Sequence, residues 1–349
     1  MNPIDYASSD RSLATIQTIS AIAPIEGADA IELAKVLGWQ CVSKKGEFKP
    51  GDKAVYFEVD SFLPEDARYE FLRKSSFRKT DLMGTGFRIK TIKLRGQLSQ
   101  GLLLPLGQFP EIETDIEIGA DVTELLGVKK WYVPEVQTST GVMIGDKPYN
   151  IPTTDEIRIQ SAPDLIDKIK GQYFYITTKM DGTSCTAYWK NGHFGCTSRN
   201  NDVKESADAL YWAPEQKYGL REKLSALGKN IAIQGELCGP GIQKNKLKLK
   251  DYKWYIFDIV DLDTLEYYSY PDLQAFCGRL NLDMAPVECA EGHPEQFRFD
   301  YSLANLLELA KGKYESGADK EGIVVRSIGM KPRISFKVLN NDALLKEKD

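Results

Sequence analysis

The first 110 residues break into five short apolar segments, at 13–22, 31–43, 53–60, 86–94 and 98–106, separated by turn signals such as Lys49-Pro50-Gly51-Asp52. Short segments that alternate in polarity form strands. In 53–60, Val55, Phe57 and Val59 are expected on one face and Tyr56 and Glu58 on the other. Five or so strands in this length fit a small closed β-barrel of the OB type, with a plain β-sandwich as the alternative. From Phe109 to Pro152 the chain turns acidic and then polar, with Pro134, Gly141, Gly145 and Pro148 as breakers. That stretch divides a first domain, 1–145 with its linker, from a second, 146–349.

The second domain reads as α+β. A short helix is expected at 162–170, through Leu165, Ile166 and Ile169, followed by strands at 173–178, 184–189, 231–237 and 253–261. A further helix near 302–312 precedes strands at 321–327 and 333–339. The regular strand–helix alternation of a parallel sheet is missing, so antiparallel sheets with interspersed helices are expected.

Composition narrows the chemistry. The 349 residues carry 45 Lys+Arg against 50 Asp+Glu, a net charge of −5, which argues against coating nucleic acid by bulk charge. Two histidines, His193 and His293, leave little room for histidine-based metal or triad chemistry. The six cysteines (41, 185, 196, 238, 277, 289) form no C-x-x-C pair and read as reduced, mostly buried thiols. The N-terminus has no signal-like apolar stretch, and no segment is long and apolar enough to span a bilayer, so a soluble, intracellular, cytoplasmic protein is expected.

No Walker phosphate loop is present, and Gly84-Thr85-Gly86 lacks the third glycine of a dinucleotide fingerprint, so it reads as a hairpin turn. The informative stretch is Lys179-Met180-Asp181-Gly182-Thr183, directly after the apolar strand around Tyr173–Ile176. A lysine at a strand end, followed by an acid and a turn glycine, can be held rigidly and partly out of water, where desolvation lowers its pKa toward that of a nucleophile. Alone the pattern also fits a solvated strand-end lysine. Downstream, in order, stand Thr197-Ser198-Arg199-Asn200, Gln234-Gly235-Glu236, Tyr255-Ile256-Phe257-Asp258, Glu321-Gly322-Ile323 and Ser335-Phe336-Lys337. Glu236 and Glu321 border apolar runs, where a carboxylate without a partner would be costly. Phe257 is either a core side chain or a flat platform for a base.

This ordered series, 179–338, resembles that of the covalent nucleotidyltransferases, the superfamily of polynucleotide ligases and capping enzymes. Within it the chain is most similar to ATP-dependent RNA ligases with an N-terminal OB domain. The resemblance implies a C-terminal adenylyltransferase domain in which Lys179 attacks the α-phosphorus of ATP to form lysyl–AMP. It implies Mg²⁺ or Mn²⁺ held through Asp181, Glu236 and Glu321, adenine stacked on Phe257, and phosphate contacts from Lys337 and Arg199. Thr178, Gly182 and Gln160 would line the nucleotide pocket. Two positions depart from the wider pattern: Thr177 stands where many ligases have an acid, and Ser335 replaces the first of two lysines, leaving the work to Lys337 with Arg333 or Lys331 as helpers. Only 12 residues follow Lys337, too few for the C-terminal OB domain of DNA ligases and capping enzymes. The implied activity is joining RNA 3′-OH and 5′-phosphate ends, on a nicked duplex, by a monomer. Alternatives are a DNA-ligase or capping-type enzyme, or a non-catalytic nucleic-acid-binding protein on a decayed ligase fold.

Two basic clusters suit an RNA partner. Residues 68–95 hold nine Lys/Arg against two acids, with Phe71, Phe77 and Phe87 interleaved, and Arg88, Lys90 and Lys93 are the candidate contacts. Lys244 and Lys246 belong to Lys244-Asn-Lys246-Leu-Lys248-Leu-Lys250, either a solvated alternating strand edge or a phosphate-tracking edge beside the site.

Overall fold

A computed structural model describes residues 11–80, 83–131, 141–288 and 298–346. His293, Cys289, Pro134 and the N-terminal ten residues lie outside the described residues. By their contacts the described residues form two compact units, 11–131 with Gln160–Pro163 and 344–346 in one, and 141–159 with Asp164–Ala343 in the other.

In the first unit the strands are β1 (Ala14–Pro24), β2 (Ile31–Val36), β3 (Trp39–Lys44), β4 (Lys53–Phe57), β5 (Ser61–Pro64) and β6 (Phe77–Thr80). They continue as β7 (Gly84–Arg88), β8 (Thr91–Leu94), β9 (Gln97–Gln100), β10 (Leu102–Pro105) and β11 (Lys129–Lys130). One sheet runs β10-β4-β1-β2-β3, a second β11-β5-β7-β6, and β8 with β9 make a separate hairpin. The expected segment 31–43 is thus a hairpin that turns through Leu37 and Gly38.

Strand β4 keeps the expected alternation, and both of its faces are buried. Val55, Tyr56 and Phe57 are all fully buried. Val55 and Phe57 pack in one core with Ile16, Leu63 and Phe87, while Tyr56 packs in another with Ile19, Trp39 and Leu103. A strand between β10 and β1 is covered on both faces, and the Tyr56 hydroxyl keeps its hydrogen bond by donating to the Gln100 carbonyl at 3.0 Å.

In the second unit the strands are β12 (Met143–Asp146), β13 (Phe174–Lys179), β14 (Thr183–Lys190), β15 (His193–Thr197) and β16 (Asn201–Val203). After them come β17 (Ile231–Cys238), β18 (Lys253–Asp261), β19 (Gly322–Ser327) and β20 (Ser335–Leu339). A six-stranded sheet, β12-β16-β15-β14-β17-β18, and a three-stranded one, β13-β19-β20, are antiparallel throughout. Strand β12 spans the expected junction at 145/146 and pairs with β16. Helices form at Asp164–Ile169 and Leu303–Leu309, the latter closed by a Ser302–Asn305 capping box. Helices at Ala213–Tyr218, Leu220–Leu227 and Tyr270–Leu280 add to the expected set and cover one face of the larger sheet, burying Leu220, Leu224, Leu273 and Phe276 against Ile233, Trp254 and Ile256. Among the described residues, no helix is long and apolar enough to cross a membrane.

Candidate active site

Lys179 is the last residue of β13, paired with Gly322 at the start of β19. Phe174 and Ile176 anchor the strand in the interior, and Met180 plugs into a small core with Cys238, Tyr255, Ala285 and Tyr314. The chain therefore cannot slide at the point where it turns, and Lys179 is fixed at the edge of the interior. Its ammonium lies 2.7 Å from Glu321 Oε1.

Glu321 precedes Gly322, a glycine required by its surroundings. Its φ is +148°, and a Cβ there would fall 2.1 Å from the Val338 carbonyl oxygen. Gly182 is required by close approach instead. A Cβ would meet the Leu237 carbonyl at 2.3 Å, and its N–H donates to Glu236 Oε1 at 3.1 Å. One glycine thus lets β14 approach β17 and orients the carboxylate that β17 carries.

Three carboxylates and two ammonium groups meet here. Asp181 Oδ2 is 3.2 Å from Lys246 Nζ. Burial drives the Glu236 pKa up to about 7; repulsion from Glu321 and Asp181 adds to this, while Lys179 and Arg199 oppose it. Asp181 is also raised, by burial and then by Glu321, against the pull of Lys246. For Lys179, burial lowers the pKa, but Glu321, Glu236 and Asp181 together outweigh it, so the net shift is upward. This reverses the expectation of a depressed lysine, because the neighbours that count are anions.

Among the described residues, no three Asp, Glu, His or Cys side chains are grouped closely enough to hold an ion by themselves. The donor set still suits a hard divalent cation, because such ions keep several waters and use only one or two carboxylates together with substrate phosphates. An excess of buried negative charge, seen in the raised Asp181 and Glu236, is what a cation would relieve.

Phe257 sits at a break in the β17–β18 ladder. Gln234 pairs with Asp258 and Gly235 with Ile256, so Phe257 is the extra residue of a β-bulge. Its ring is half-buried, with the Arg326 guanidinium 5.6 Å from the centroid. Lys337 lies on β20 opposite Val324, and its N–H donates to the Ile157 carbonyl at 2.8 Å. Arg199 is half exposed and 3.4 Å from Asp155.

Other expected site residues are placed differently. Thr178 faces the opposite side of β13 from Lys179 and donates its hydroxyl to Glu288 Oε1 at 2.6 Å, so it is corrected from a nucleotide contact to a structural tie. Gln160 belongs to the first unit, where its carbonyl accepts from the Gly38 N–H; its buried side-chain amide finds no hydrogen-bond partner among the described residues. Of the two expected helpers for Ser335, Arg333 is held by both oxygens of the buried Asp258, while Lys331 makes an exposed ion pair with Glu266. The 244–250 segment is a series of turns with left-handed residues at Asn245 and Lys248, correcting the strand-edge reading. Its Leu247 and Leu249 pack on the Met180–Tyr314 cluster, and Lys246 points to Asp181.

The basic stripe is also partly spent within the protein. Arg68 pairs with Asp66 and Glu111, and Arg73 with Glu65 and Glu70. Arg88 is 5% exposed, its guanidinium 5.0 Å from the Trp131 ring centroid, and is corrected from a surface contact to a buried one. Lys90 is half-buried, and Lys93 stays exposed on the β8–β9 hairpin.

A family model described as an RNA ligase matches residues 172–339, and one described as an OB-fold domain matches 13–106. Among solved structures, an apo alanine variant of a Naegleria gruberi RNA ligase is 38% identical, with a TM-score of 0.90, covering 97% of this chain and 99% of its own. The Naegleria gruberi RNA ligase with PPi is 39% identical, with a TM-score of 0.90 and coverage of 97% and 100%. An alanine variant of the same ligase with ATP and Mn is 38% identical, with a TM-score of 0.89 and coverage of 96% and 99%. No curated protein sequence matches.

Proposed function

The chain belongs to the RNA ligase family, and from that premise we propose that it is an ATP-dependent enzyme sealing RNA 3′-OH and 5′-phosphate ends, with Lys179 as its nucleophile. The capping and DNA-ligase alternatives lose ground to a family model that is specifically an RNA ligase.

The observation that carries the site assignment is the ion pair of Lys179 with Glu321, at 2.7 Å, together with the chain spacing around it. Solved Naegleria variants alter a lysine, an aspartate and two glutamates at relative positions 0, 2, 57 and 142. Lys179, Asp181, Glu236 and Glu321 stand at those same intervals. A further altered lysine, at 156, corresponds by interval to Ser335.

In the proposed reaction the Lys179 amine attacks the α-phosphorus of ATP. An N–P bond forms as the bond to the bridging oxygen of the β-phosphate breaks, and pyrophosphate leaves. The ammonium must first lose a proton, and Glu321 Oε1 is its acceptor in this reading. A divalent metal, when bound by Asp181, Glu236 and Glu321 directly or through its waters, neutralises charge on the phosphates. Phe257 supplies the flat surface for adenine, and Lys337 and Arg199 supply positive charge for the α-phosphate. AMP then passes to the RNA 5′-phosphate, and the 3′-OH displaces it. A nicked duplex as substrate, a monomeric enzyme and a cytoplasmic setting complete the proposal.

Incubation with labelled ATP and Mn²⁺ tests it. Wild-type protein is expected to form an acid-labile AMP adduct and Lys179→Ala none. An adduct on Lys179→Ala, or labelling by GTP in preference to ATP, overturns the assignment.

A further inference from the structure

Lys179 and Glu321 come from segments far apart in sequence, and their β pairing is at its weakest where they meet. Lys179 and Gly322 are the last partners of the β13–β19 ladder, and ladder ends open most readily. Two side chains lace this end together. The Tyr314 hydroxyl donates to the Lys179 carbonyl at 2.6 Å and accepts from the Glu321 N–H at 3.0 Å. One hydroxyl thus bridges the main chains of the two residues whose side chains form the central ion pair.

The second lace joins side chains rather than main chains. Glu288 Oε1 accepts from the Thr178 hydroxyl at 2.6 Å and from Lys320 Nζ at 2.9 Å. Thr178 and Lys320 are the residues immediately before Lys179 and Glu321. Glu288 is itself tied to β13 by its own N–H, which donates to Ile176, beside a bridge between Val287 and Thr177. The dipeptides 178–179 and 320–321 are therefore bound to each other by a hydroxyl at their main chains and a carboxylate at their side chains.

We propose that Tyr314 is a positioning residue for the adenylylation step, holding the Lys179 amine at its working distance from Glu321; the inference rests on Lys179 being the nucleophile. Tyr314 is suited to this and to nothing nearer the chemistry. It is 8% exposed, packed among Met180, Cys238 and Tyr255. Its proton is committed to the Lys179 carbonyl, and its oxygen already accepts from Glu321. The turn that carries it is closed by the Tyr314 N–H to Ala318 and by a Lys313–Asp319 pair, so the ring has a fixed base. The same turn holds the backbone of Lys246, whose carbonyl accepts from Ser316 Oγ at 2.6 Å.

In-line attack is sensitive to misplacement, and an error of about 1 Å costs on the order of 100-fold in rate. Tyr314→Phe keeps the ring and removes both hydrogen bonds. In single-turnover adenylylation with labelled ATP, well below the melting temperature, its first-order rate is expected to fall ~10- to 100-fold with the ATP half-saturation within about twofold of wild type. A loss of stability alone would lower the fraction of active protein without changing the rate per active molecule. A first-order rate within twofold of wild type overturns the proposal. If Tyr314→Phe does not accumulate as folded protein, Thr178→Val, which loosens the second lace, decides. A fall in its rate at unchanged half-saturation supports the lacing, and an unchanged rate overturns it. Lys179→Ala runs in parallel: an adduct there sinks the nucleophile assignment itself, whereas a dead Lys179→Ala beside a wild-type-like Tyr314→Phe sinks only the positioning role.

Discussion

Lys246 Nζ stands 3.2 Å from Asp181 Oδ2, so a lysine from a turn-rich surface segment is the counter-ion of an acid two residues from Lys179. Lys244, two positions earlier on the same segment, is exposed.

That difference separates two lysines that look equivalent in sequence. Lys246→Ala leaves the largely buried Asp181 without its cation and is expected to lower stability by about 1–3 kcal/mol and to slow adenylylation. Lys244→Ala is expected to do neither. Thermal melts and single-turnover labelling of both variants check this; normal adenylylation in Lys246→Ala, with only RNA binding reduced, would return Lys246 to the outer surface.

Glu236 carries a stability cost that depends on pH. Its pKa in the folded protein, raised to about 7, lies above the ordinary glutamate value, so the folded state holds this proton more tightly than the unfolded one. The group's contribution to stability is full below the ordinary value and is lost as pH rises through about 7. Glu236→Gln cannot ionise, and without nucleotide or metal it is expected to be more stable than wild type at pH 8 by roughly 1–3 kcal/mol, seen as a higher melting temperature, with little difference at pH 4. A variant melting below wild type at pH 8 contradicts this. The same variant is expected to lose adenylylation.

The β8–β9 hairpin and Arg88 should part company in RNA binding. Lys93→Ala with Arg95→Ala, both exposed, is expected to weaken RNA binding while sparing adenylylation. The slope of log affinity against log salt should fall by about 0.7 to 0.9 for each phosphate that is no longer neutralised, the lower value for single strands and the higher for a duplex. Arg88→Ala, buried against Trp131, is expected to lower the melting temperature instead. Binding isotherms at several salt concentrations, with melts of the same proteins, separate the two roles.

Gly322→Ala tests the junction of the three-stranded sheet. With a Cβ 2.1 Å from the Val338 oxygen and φ at +148°, β19 and β20 must part where Glu321 enters the site. The expected loss is about 3 kcal/mol or more, together with adenylylation. Wild-type melting would show that the strands can shift to admit the methyl group.

The grouping of the candidate site was legible in the sequence wherever a residue type and an interval carried it: Lys179, Asp181, Glu236 and Glu321 come together in space. Strands β13, β14, β17, β18, β19 and β20 of the second unit were legible too, as runs of buried β-branched and aromatic residues, whereas the short β12, β15 and β16 were not. What escaped is what depends on partners distant in the chain. The charge of 68–95 looked free because Glu65, Asp66 and Glu111, which neutralise part of it, stand outside that window. Leu247 and Leu249 alternate with lysines as a strand would, but Asn245 clamps the segment into turns through Leu249. The helix Tyr270–Leu280 had a readable start, Ser269 with Pro271 and Asp272, hidden among tyrosines that favour strands. Tyr314 gave no signal at all, because a hydroxyl bonded to two main chains leaves no pattern in its neighbours.

The bulge at Phe257 divides β18 into two halves of opposite parity. Trp254 and Ile256, at even positions, face the large core before it, and Ile259, at an odd one, faces the same core after it. In the ladder Phe257 therefore counts as an insertion. Without it the two halves would join in one regular alternation, with Trp254, Ile256 and Ile259 still on a common side. Sheet pairing places no demand on this position, so the side chain there answers only to what lies against its ring.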